Sequence, residues 1–136
     1  MAVNFSESKT KENLMRAFAG ESQARNRYTF AAEQCRREGM QSIGGIFLYT
    51  ADQELAHARR FYELLKPETG TTIFIDGSYP VDKPGSVQDL LQAAAHNENE
   101  EAVDVYPAFA RIAKEEGFYE AASTFMQIAE IEAMHR

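Results

Sequence analysis

The sequence contains one pattern twice, offset by 78 residues, the separation of Tyr28 from Tyr106. The matches combine aromatic, glycine, glutamate and histidine positions: Tyr28 with Tyr106, Glu38-Gly39 with Glu116-Gly117, Phe47 with Phe125, Ala51 with Ala129, Glu54 with Glu132, and His57 with His135. Repeated units of this kind stack or pair symmetrically. With two units, the pattern predicts a pseudo-twofold structure.

Each copy of the pattern consists of two helical stretches separated by a glycine. The four stretches are predicted at about Ser8 to Glu38, Gln41 to Leu65, Ser86 to Glu116, and Phe118 to Arg136. Gly39 and Gly117 are placed to end helices, and Ser86 is placed to cap one, with Asp89 at the third helical position. Short turns at the two glycines predict two antiparallel helical hairpins.

A long polar connection, PETGTTIFIDGSYPVDKPG, joins the two hairpins, and residues 71–75 within it are a candidate for a short extended piece. At 136 residues the whole chain, 1–136, is expected to form one domain. One long crossover between helices 2 and 3 predicts an all-α, ferritin-like antiparallel four-helix bundle. The alternative is a simple up-down bundle with a decorated loop.

Every predicted helix carries an apolar stripe that a glutamate interrupts. The stripes are Leu14, Ala17, Phe18, Ala24 and Tyr28 around Glu21; Ile43, Phe47, Ala51, Ala58 and Phe61 around Glu54; Leu91, Ala94, Ala95, Ala102 and Val105 around Glu98; and Phe125, Ile128 and Ala129 before Glu132. Spacings of three, four and seven residues put these side chains on one helical face. Glu101, near Glu98, is a fifth inward carboxylate.

Several carboxylates that converge in one core need compensating cations, because each buried charge costs several kcal/mol. The arginines at 25, 27, 59 and 60 lie off the stripes, so metal ions are the better explanation. His57 follows Glu54 by three residues, and His135 follows Glu132 by three. Two such motifs with single glutamates from two other helices form a di-metal site in four-helix bundles. The alternative is a set of solvated surface salt-bridge residues.

Composition excludes several other classes of protein. The formal net charge of −7 argues against nucleic acid or an anionic membrane as the main partner. No apolar run approaches the roughly 18 residues of a membrane span, and the polar N-terminal stretch lacks a signal-peptide pattern, so a cytoplasmic location is expected. Cys35 is the single cysteine, which excludes an internal disulfide and predicts a buried, unreactive thiol.

Four stretches of the sequence resemble the rubrerythrin family: FAGESQARNRY at 18–28, TADQELAHA at 50–58, YPAFARIAKEEG at 106–117 and IAEIEAMH at 128–135. The resemblance covers nearly the whole chain. It implies a ferritin-like di-iron fold that reduces hydrogen peroxide to water and protects anaerobic or microaerobic cells from oxidative stress. The implied cofactors are two iron ions, for which manganese or zinc are substitutes.

The resemblance also implies a role for each matching site residue. Glu54 and Glu132 would bridge the two irons, Glu21 and Glu98 would be terminal ligands, and His135 would bind the second iron. The first iron would be held by Glu101 when oxidised and by His57 when reduced. Tyr28 and Tyr106 would donate hydrogen bonds next to the ligands, which places them with Glu101 and His57 in the catalytic set.

The implied activity is that of an NADH- and rubredoxin-linked peroxidase, with hydrogen peroxide as substrate. Because Cys35 is the single cysteine of this sequence, a four-cysteine rubredoxin domain is not expected within it, and a separate rubredoxin-like electron donor is expected. A homodimer is expected, and the fourth helix is expected to be shorter than in the family. The alternatives are ferritin-like iron oxidation or storage, a non-enzymatic metal-binding bundle, and a di-manganese catalase.

The two copies of the pattern differ in the spacing between a glutamate and the tyrosine that follows it. Glu21 precedes Tyr28 by seven residues, whereas Glu98 precedes Tyr106 by eight. An extra residue inside a helix is commonly accommodated as a π-bulge, and such bulges are frequent at functional sites. The sequence therefore predicts a π-type irregularity between Glu98 and Tyr106.

Overall fold

The computed structural model describes residues 3–82 and 85–134, and within these ranges the chain forms an antiparallel four-helix bundle without β-strands. Its α-helical segments are α1 (Lys9–Arg37), α2 (Gln41–Glu63), α3 (Val87–Glu100), α4 (Tyr106–Glu116) and α5 (Tyr119–Ala133). A π-helical turn, Glu101–Val105, joins α3 to α4, so the two make one continuous third helix. The predicted fold class and the predicted π irregularity are both confirmed.

The helix ends follow the predicted capping residues. The Ser8 hydroxyl accepts a hydrogen bond from the Lys11 amide at the start of α1. At the start of α3, Ser86 and Asp89 form a reciprocal capping box. Gly39 and Gly117 have φ of 76° and 92°, a left-handed conformation that side chains with a Cβ rarely adopt.

The crossover from α2 to α3 begins with a 3₁₀ turn, Lys66–Glu68. Residues 71–75, the candidate extended piece, pair with no strand in the described part of the chain. Ile73 packs against the bundle, while Phe74 is 85% exposed. A β-strand does not form here because no neighbouring strand is available to satisfy its backbone groups.

Two apolar clusters fill the bundle, one containing Phe61 and Phe125 and the other containing Cys35 and Phe47. Both α1 and α2 contribute to both clusters, and each helix carries its buried glutamate between the two contributions. The carboxylates therefore form a polar layer between two apolar ones. Cys35 is fully buried, as predicted.

The apolar stripe predicted for the third helix is wrong at its first residue, Leu91. Leu91 is 38% exposed, whereas Leu90 is 8% exposed and belongs to the second apolar cluster. A helix with 3.6 residues per turn drifts against a seven-residue repeat, so counting back from Glu98 selects the wrong neighbour. No helix in the described ranges is both long and apolar enough to cross a membrane.

Candidate metal centre

Three helices bring four ligand-type side chains together in the polar layer. They are Glu21 from α1, Glu54 and His57 from α2, and Glu132 from α5, and one ligand atom of each lies within 4.8 Å of the others. His57 Nδ1 lies 3.4 Å from Glu21 Oε2, 3.3 Å from Glu132 Oε1 and 3.9 Å from Glu54 Oε2. The two glutamates that the repeat relates, Glu54 and Glu132, therefore meet at one place.

These four side chains are buried, and most of their polar atoms lack a hydrogen bond within the described residues. Glu21 and Glu132 are fully buried, and His57 is 8% exposed. The atoms without a hydrogen bond are Glu21 Oε2, both carboxylate oxygens of Glu54 and of Glu132, and His57 Nδ1. Buried polar atoms are nearly always satisfied, so a convergent set of unsatisfied atoms calls for a specific explanation.

The electrostatics of the cluster show how unfavourable it is without a cation. Burial raises the pKa of Glu54 to about 12, and the nearby charges of Glu21 and Glu132 contribute to this shift. Burial likewise raises the pKa of Glu21 well above its usual range. Burial lowers the pKa of His57, but the carboxylates of Glu132 and Glu54 outweigh it and leave that pKa raised. The cluster therefore holds protons unless a cation replaces them.

Two tyrosines link the cluster to the first and third helices in a crossed arrangement. The Tyr106 hydroxyl donates to Glu21 Oε1 at 2.6 Å, and the Tyr28 hydroxyl donates to Glu98 Oε1 at 3.4 Å. Glu98 is 3% exposed; burial raises its pKa to about 9, and the charges of Glu132 and Glu54 act in the same direction. Glu98 therefore adjoins the four-residue cluster from the third helix.

Glu101 is the first residue of the π-helical turn and is partly buried. Burial raises its pKa to about 7, and the charge of Glu132 adds to this, while Arg27 and His57 lower it. Glu101 and Tyr106 both line a cavity of about 230 Å³ between α1, the crossover and the third helix. Glu101 thus stands between the buried carboxylates and this cavity.

The π-helical turn explains how the third helix supplies both Glu98 and Tyr106 to the core. Glu98 and Tyr106 are both almost completely buried, although eight residues separate them. In a regular α-helix a separation of eight residues is about 80° out of phase, whereas seven is nearly in phase. The additional residue in the turn absorbs this difference.

The structure brings together six of the seven residues predicted as ligands, four in the compact cluster and Glu98 and Glu101 beside it. His135, the seventh, lies outside the described residues. Sequence reasoning missed Asn97, whose buried Nδ2 has no hydrogen bond within the described residues and which lines the cavity beside Glu101. Its position off the apolar stripe gave no signal.

The donor set fits a metal site for ions of intermediate hardness. Carboxylate oxygens with a single imidazole nitrogen suit iron or manganese, and zinc binds the same donors. Unsatisfied oxygens on Glu21, Glu54 and Glu132 are available to such ions. The neighbouring tyrosine hydroxyls orient the carboxylates that they contact, as hydrogen bonds around metal sites generally do.

The family model named Rubrerythrin matches residues 12–136. The rubrerythrin of Porphyromonas gingivalis is 52% identical over 128 residues, which cover 94% of this chain and 62% of that protein. The rubrerythrin of Clostridium perfringens is 46% identical over 129 residues, which cover 94% of this chain and 66% of that protein. The chain thus spans slightly less than two thirds of the length of these relatives.

Solved structures of nigerythrin have the same fold. The partially reduced state superimposes with a TM-score of 0.81 at 35% identity, covering 98% of this chain and 69% of that one. The fully reduced, all-ferrous state gives a TM-score of 0.77 at the same identity and coverage. The buried glutamates, the histidine and the π-helical turn thus occur in a fold shared with nigerythrin, and the chain belongs to the rubrerythrin family.

Proposed function

We propose that this chain is a non-haem di-iron protein that reduces hydrogen peroxide to water in the cytoplasm, with electrons from an external donor. The observation that carries the proposal is the convergence of Glu21, Glu54, His57 and Glu132 on one buried point. Membership of the rubrerythrin family supports iron as the metal. One of the solved nigerythrin structures is described as all-ferrous, which also supports iron.

The proposed reaction consumes one peroxide, two electrons and two protons and yields two waters. Two iron ions bound by the buried carboxylates would supply the two electrons. The donor then restores both electrons, and a separate rubredoxin-like protein linked to NADH is the proposed donor. A homodimer is the proposed assembly.

The proposed ligands follow the positions of the side chains. Glu54 and Glu132 lie on opposite hairpins and meet in the centre, which suits a bridging role. Glu21 and Glu98 each accept a hydrogen bond from a tyrosine, which suits terminal ligands held in one orientation. His57 and Glu101 approach the same space from α2 and from the π-helical turn, and His135 completes the proposed set.

Proton delivery is assigned to residues at the cavity. Glu101 carries an acid–base group at the start of the π-helical turn, beside the buried carboxylates. It also lines the cavity from which a small molecule would approach. Tyr106, fully buried beside it, holds Glu21 in place with its hydroxyl. Glu101 is therefore the residue proposed to accept and release the protons that the reaction consumes.

The test is a comparison of two oxidants on the anaerobically reconstituted ferrous protein. Hydrogen peroxide is expected to oxidise the bound iron at least about 100-fold faster than air-saturated buffer, a difference of about 2.8 kcal/mol in barrier. Glu101→Gln should slow the peroxide reaction at least about tenfold, since general acid–base groups contribute 10²–10⁴-fold. Asp104→Asn, an exposed carboxylate in the same π-helical turn, is the matched control and should have no effect.

Three results would contradict the proposal. Equal rates with peroxide and air would favour ferritin-like iron oxidation, for which the same ligands would serve. If the protein binds ferrous iron but neither peroxide nor air oxidises it, the result would indicate a metal-binding bundle without peroxidase activity. Disproportionation of peroxide without any reductant would instead favour a catalase.

A further inference from the structure

The cavity beside Glu101 is covered by one segment of the crossover, residues 76–82, which we call the strap. The strap crosses the outer face of α1, and Gly77 to Pro80 form one wall of the cavity. The opposite walls are α1 and the third helix, which contribute Gly20 and Glu101. The strap therefore partly covers this approach to the buried carboxylates.

Two ion pairs fix the strap to α1, one at each end. Arg16 Nη2 lies 2.7 Å from Asp76 Oδ1, and Arg16 Nε donates to the Asp76 carbonyl oxygen at 3.0 Å. At the other end, Arg27 Nη1 lies 2.8 Å from Asp82 Oδ2. Arg16 and Arg27 lie three turns apart on α1 and both line the cavity. The strap is thus held at both ends, with the cavity between them.

Tyr79 lies at the middle of the strap and narrows the cavity. Its hydroxyl donates to the Arg16 carbonyl oxygen at 3.1 Å. Its ring lies against Gly20, where an added Cβ would be 3.5 Å from Tyr79 Cε1, and against Gly77, where an added Cβ would be 3.4 Å from the hydroxyl. Tyr79 is 42% exposed, so one part of it faces solvent while the rest faces the cavity.

Hydrogen-bond donors and acceptors both line the inner end of the cavity. Asn97 Nδ2 is a buried donor that makes no hydrogen bond within the described residues. The carboxylate of Glu101 and the phenol of Tyr106 also line the cavity. A buried donor costs about 1–3 kcal/mol if it stays unsatisfied, so it favours a guest that accepts a hydrogen bond. Hydrogen peroxide accepts and donates at each oxygen and is small enough for this space.

We propose that this cavity is the antechamber, that is, the access and binding cavity, through which hydroperoxides reach the metal centre. Asn97 Nδ2 donates a hydrogen bond to the bound hydroperoxide, and Tyr79 limits the size of the hydroperoxide that can enter. The identity of the guest rests on the proposed function; the route and the size limit rest on the cavity. A bulky alkyl hydroperoxide is excluded because the clamped strap keeps the Tyr79 ring in place.

The first test needs no metal and no activity. In a Cys35→Ala background, Asn97→Cys places a thiol at the inner end, and Gln92→Cys places one at an exposed position on the same helix as the matched control. Methyl methanethiosulfonate and a bulky, biotin-bearing analogue are then compared. At position 97 the bulky reagent should react at least about tenfold slower relative to the control, a steric cost of about 1.4 kcal/mol.

Adding Tyr79→Ala to the Asn97→Cys protein should abolish that discrimination, while Tyr79→Phe should keep it, because the ring remains. Unchanged helicity by circular dichroism shows that each variant is folded. If the thiol at position 97 reacts equally fast with both reagents in the protein that retains Tyr79, the proposal is overturned. Discrimination that persists in Tyr79→Ala would overturn the role of Tyr79.

The second test uses the iron-loaded protein with hydrogen peroxide and with tert-butyl hydroperoxide. Tyr79→Ala should raise the rate with the bulky oxidant at least about tenfold relative to the rate with hydrogen peroxide, or about 1.4 kcal/mol. Asn97→Ala should slow hydrogen peroxide. If neither oxidant reacts but the thiol at position 97 still discriminates by reagent size, the proposed peroxidase function is contradicted and the proposed access route is supported. If both oxidants react at rates that neither variant alters, the antechamber fails while the function stands.

Discussion

The Tyr106 hydroxyl reaches across the bundle and donates a 2.6 Å hydrogen bond to Glu21 Oε1. Its counterpart in the other half of the repeat, Tyr28, reaches the opposite way and lies 3.4 Å from Glu98 Oε1. The first and third helices therefore exchange the same contact, each tyrosine holding the other helix's glutamate. The two contacts therefore differ in length, although they join equivalent positions of the repeat.

This difference predicts unequal costs for removing the two hydroxyls. Tyr106→Phe should lower the free energy of unfolding of the metal-free chain by about 1–2 kcal/mol, because it leaves a buried carboxylate oxygen without its donor. Tyr28→Phe, the matched control, should cost less than about half of that, because its bond is long. Urea denaturation measures both. Equal losses would show that the two contacts do not differ in strength.

The raised carboxylate pKa values predict that the metal-free chain loses stability as pH rises. Glu101, Glu98 and Glu54 have pKa values of about 7, 9 and 12, all above the 4.5 of an unburied glutamate. Above pH 4.5 the unfolded chain releases these protons while the folded chain keeps them, so each pH unit within these windows favours unfolding. The raised pKa of His57 acts in the same direction.

The melting temperature of the metal-free chain should therefore fall by at least about 5 °C between pH 5.5 and pH 8, since one pKa unit corresponds to about 1.4 kcal/mol. Differential scanning calorimetry at the two pH values measures this change. A smaller fall is expected once metal is bound, because a cation removes the need for the protons. A metal-free chain that is more stable at pH 8 would contradict the electrostatics described here.

Glu54→Gln should separate stability from metal binding. It removes a group whose charge is costly to bury, so the metal-free chain should gain about 2 kcal/mol at pH 8, as replacement of buried charges often does. The same change should abolish full metal loading, because it removes the proposed bridging carboxylate. Glu63→Gln, an exposed glutamate on the same helix, is the control and should change neither quantity. Urea denaturation and metal analysis provide the two readouts.

Deletion of Val103 tests the role of the π-helical turn. Val103 is 53% exposed, so its loss removes little core packing. With one residue fewer, Glu98 and Tyr106 would be seven residues apart, so a regular α-helix could continue through the turn and keep both side chains on the core face. Glu98 should then stay in the core, so helicity by circular dichroism and metal loading should both be retained, and a loss of loading would contradict this account of the turn. Deletion of the exposed Thr71 in the crossover should leave loading unchanged.

Much of the bundle could be predicted because its signals are local. Ser8, Ser86, Gly39 and Gly117 determine helix ends through their own backbone contacts, and the glutamates follow the periodicity of the apolar stripes. The one-residue difference between the two copies of the pattern predicted the π-helical turn at Glu101–Val105. These features need no knowledge of distant contacts.

The strap and its cavity could not be predicted for the opposite reason. Arg16 and Asp76 are 60 residues apart, and Arg27 and Asp82 are 55 apart, so nothing in the sequence pattern pairs them. Asn97 acquires its position only when the strap and α1 close around it. The exchange of Leu90 for Leu91 in the core likewise depends on how α3 packs, which periodicity alone defines too coarsely.

The most direct test of the central claim is an anaerobic titration of the metal-free chain with ferrous iron, followed by metal analysis and the visible spectrum after one equivalent of hydrogen peroxide. We predict saturation at two irons per chain and a visible absorption that develops when peroxide oxidises the bound iron, both lost in a Glu54→Gln and Glu132→Gln double variant. Fewer than about one iron per chain, or binding that the double variant retains, would contradict the assignment of this glutamate and histidine cluster as a di-iron site.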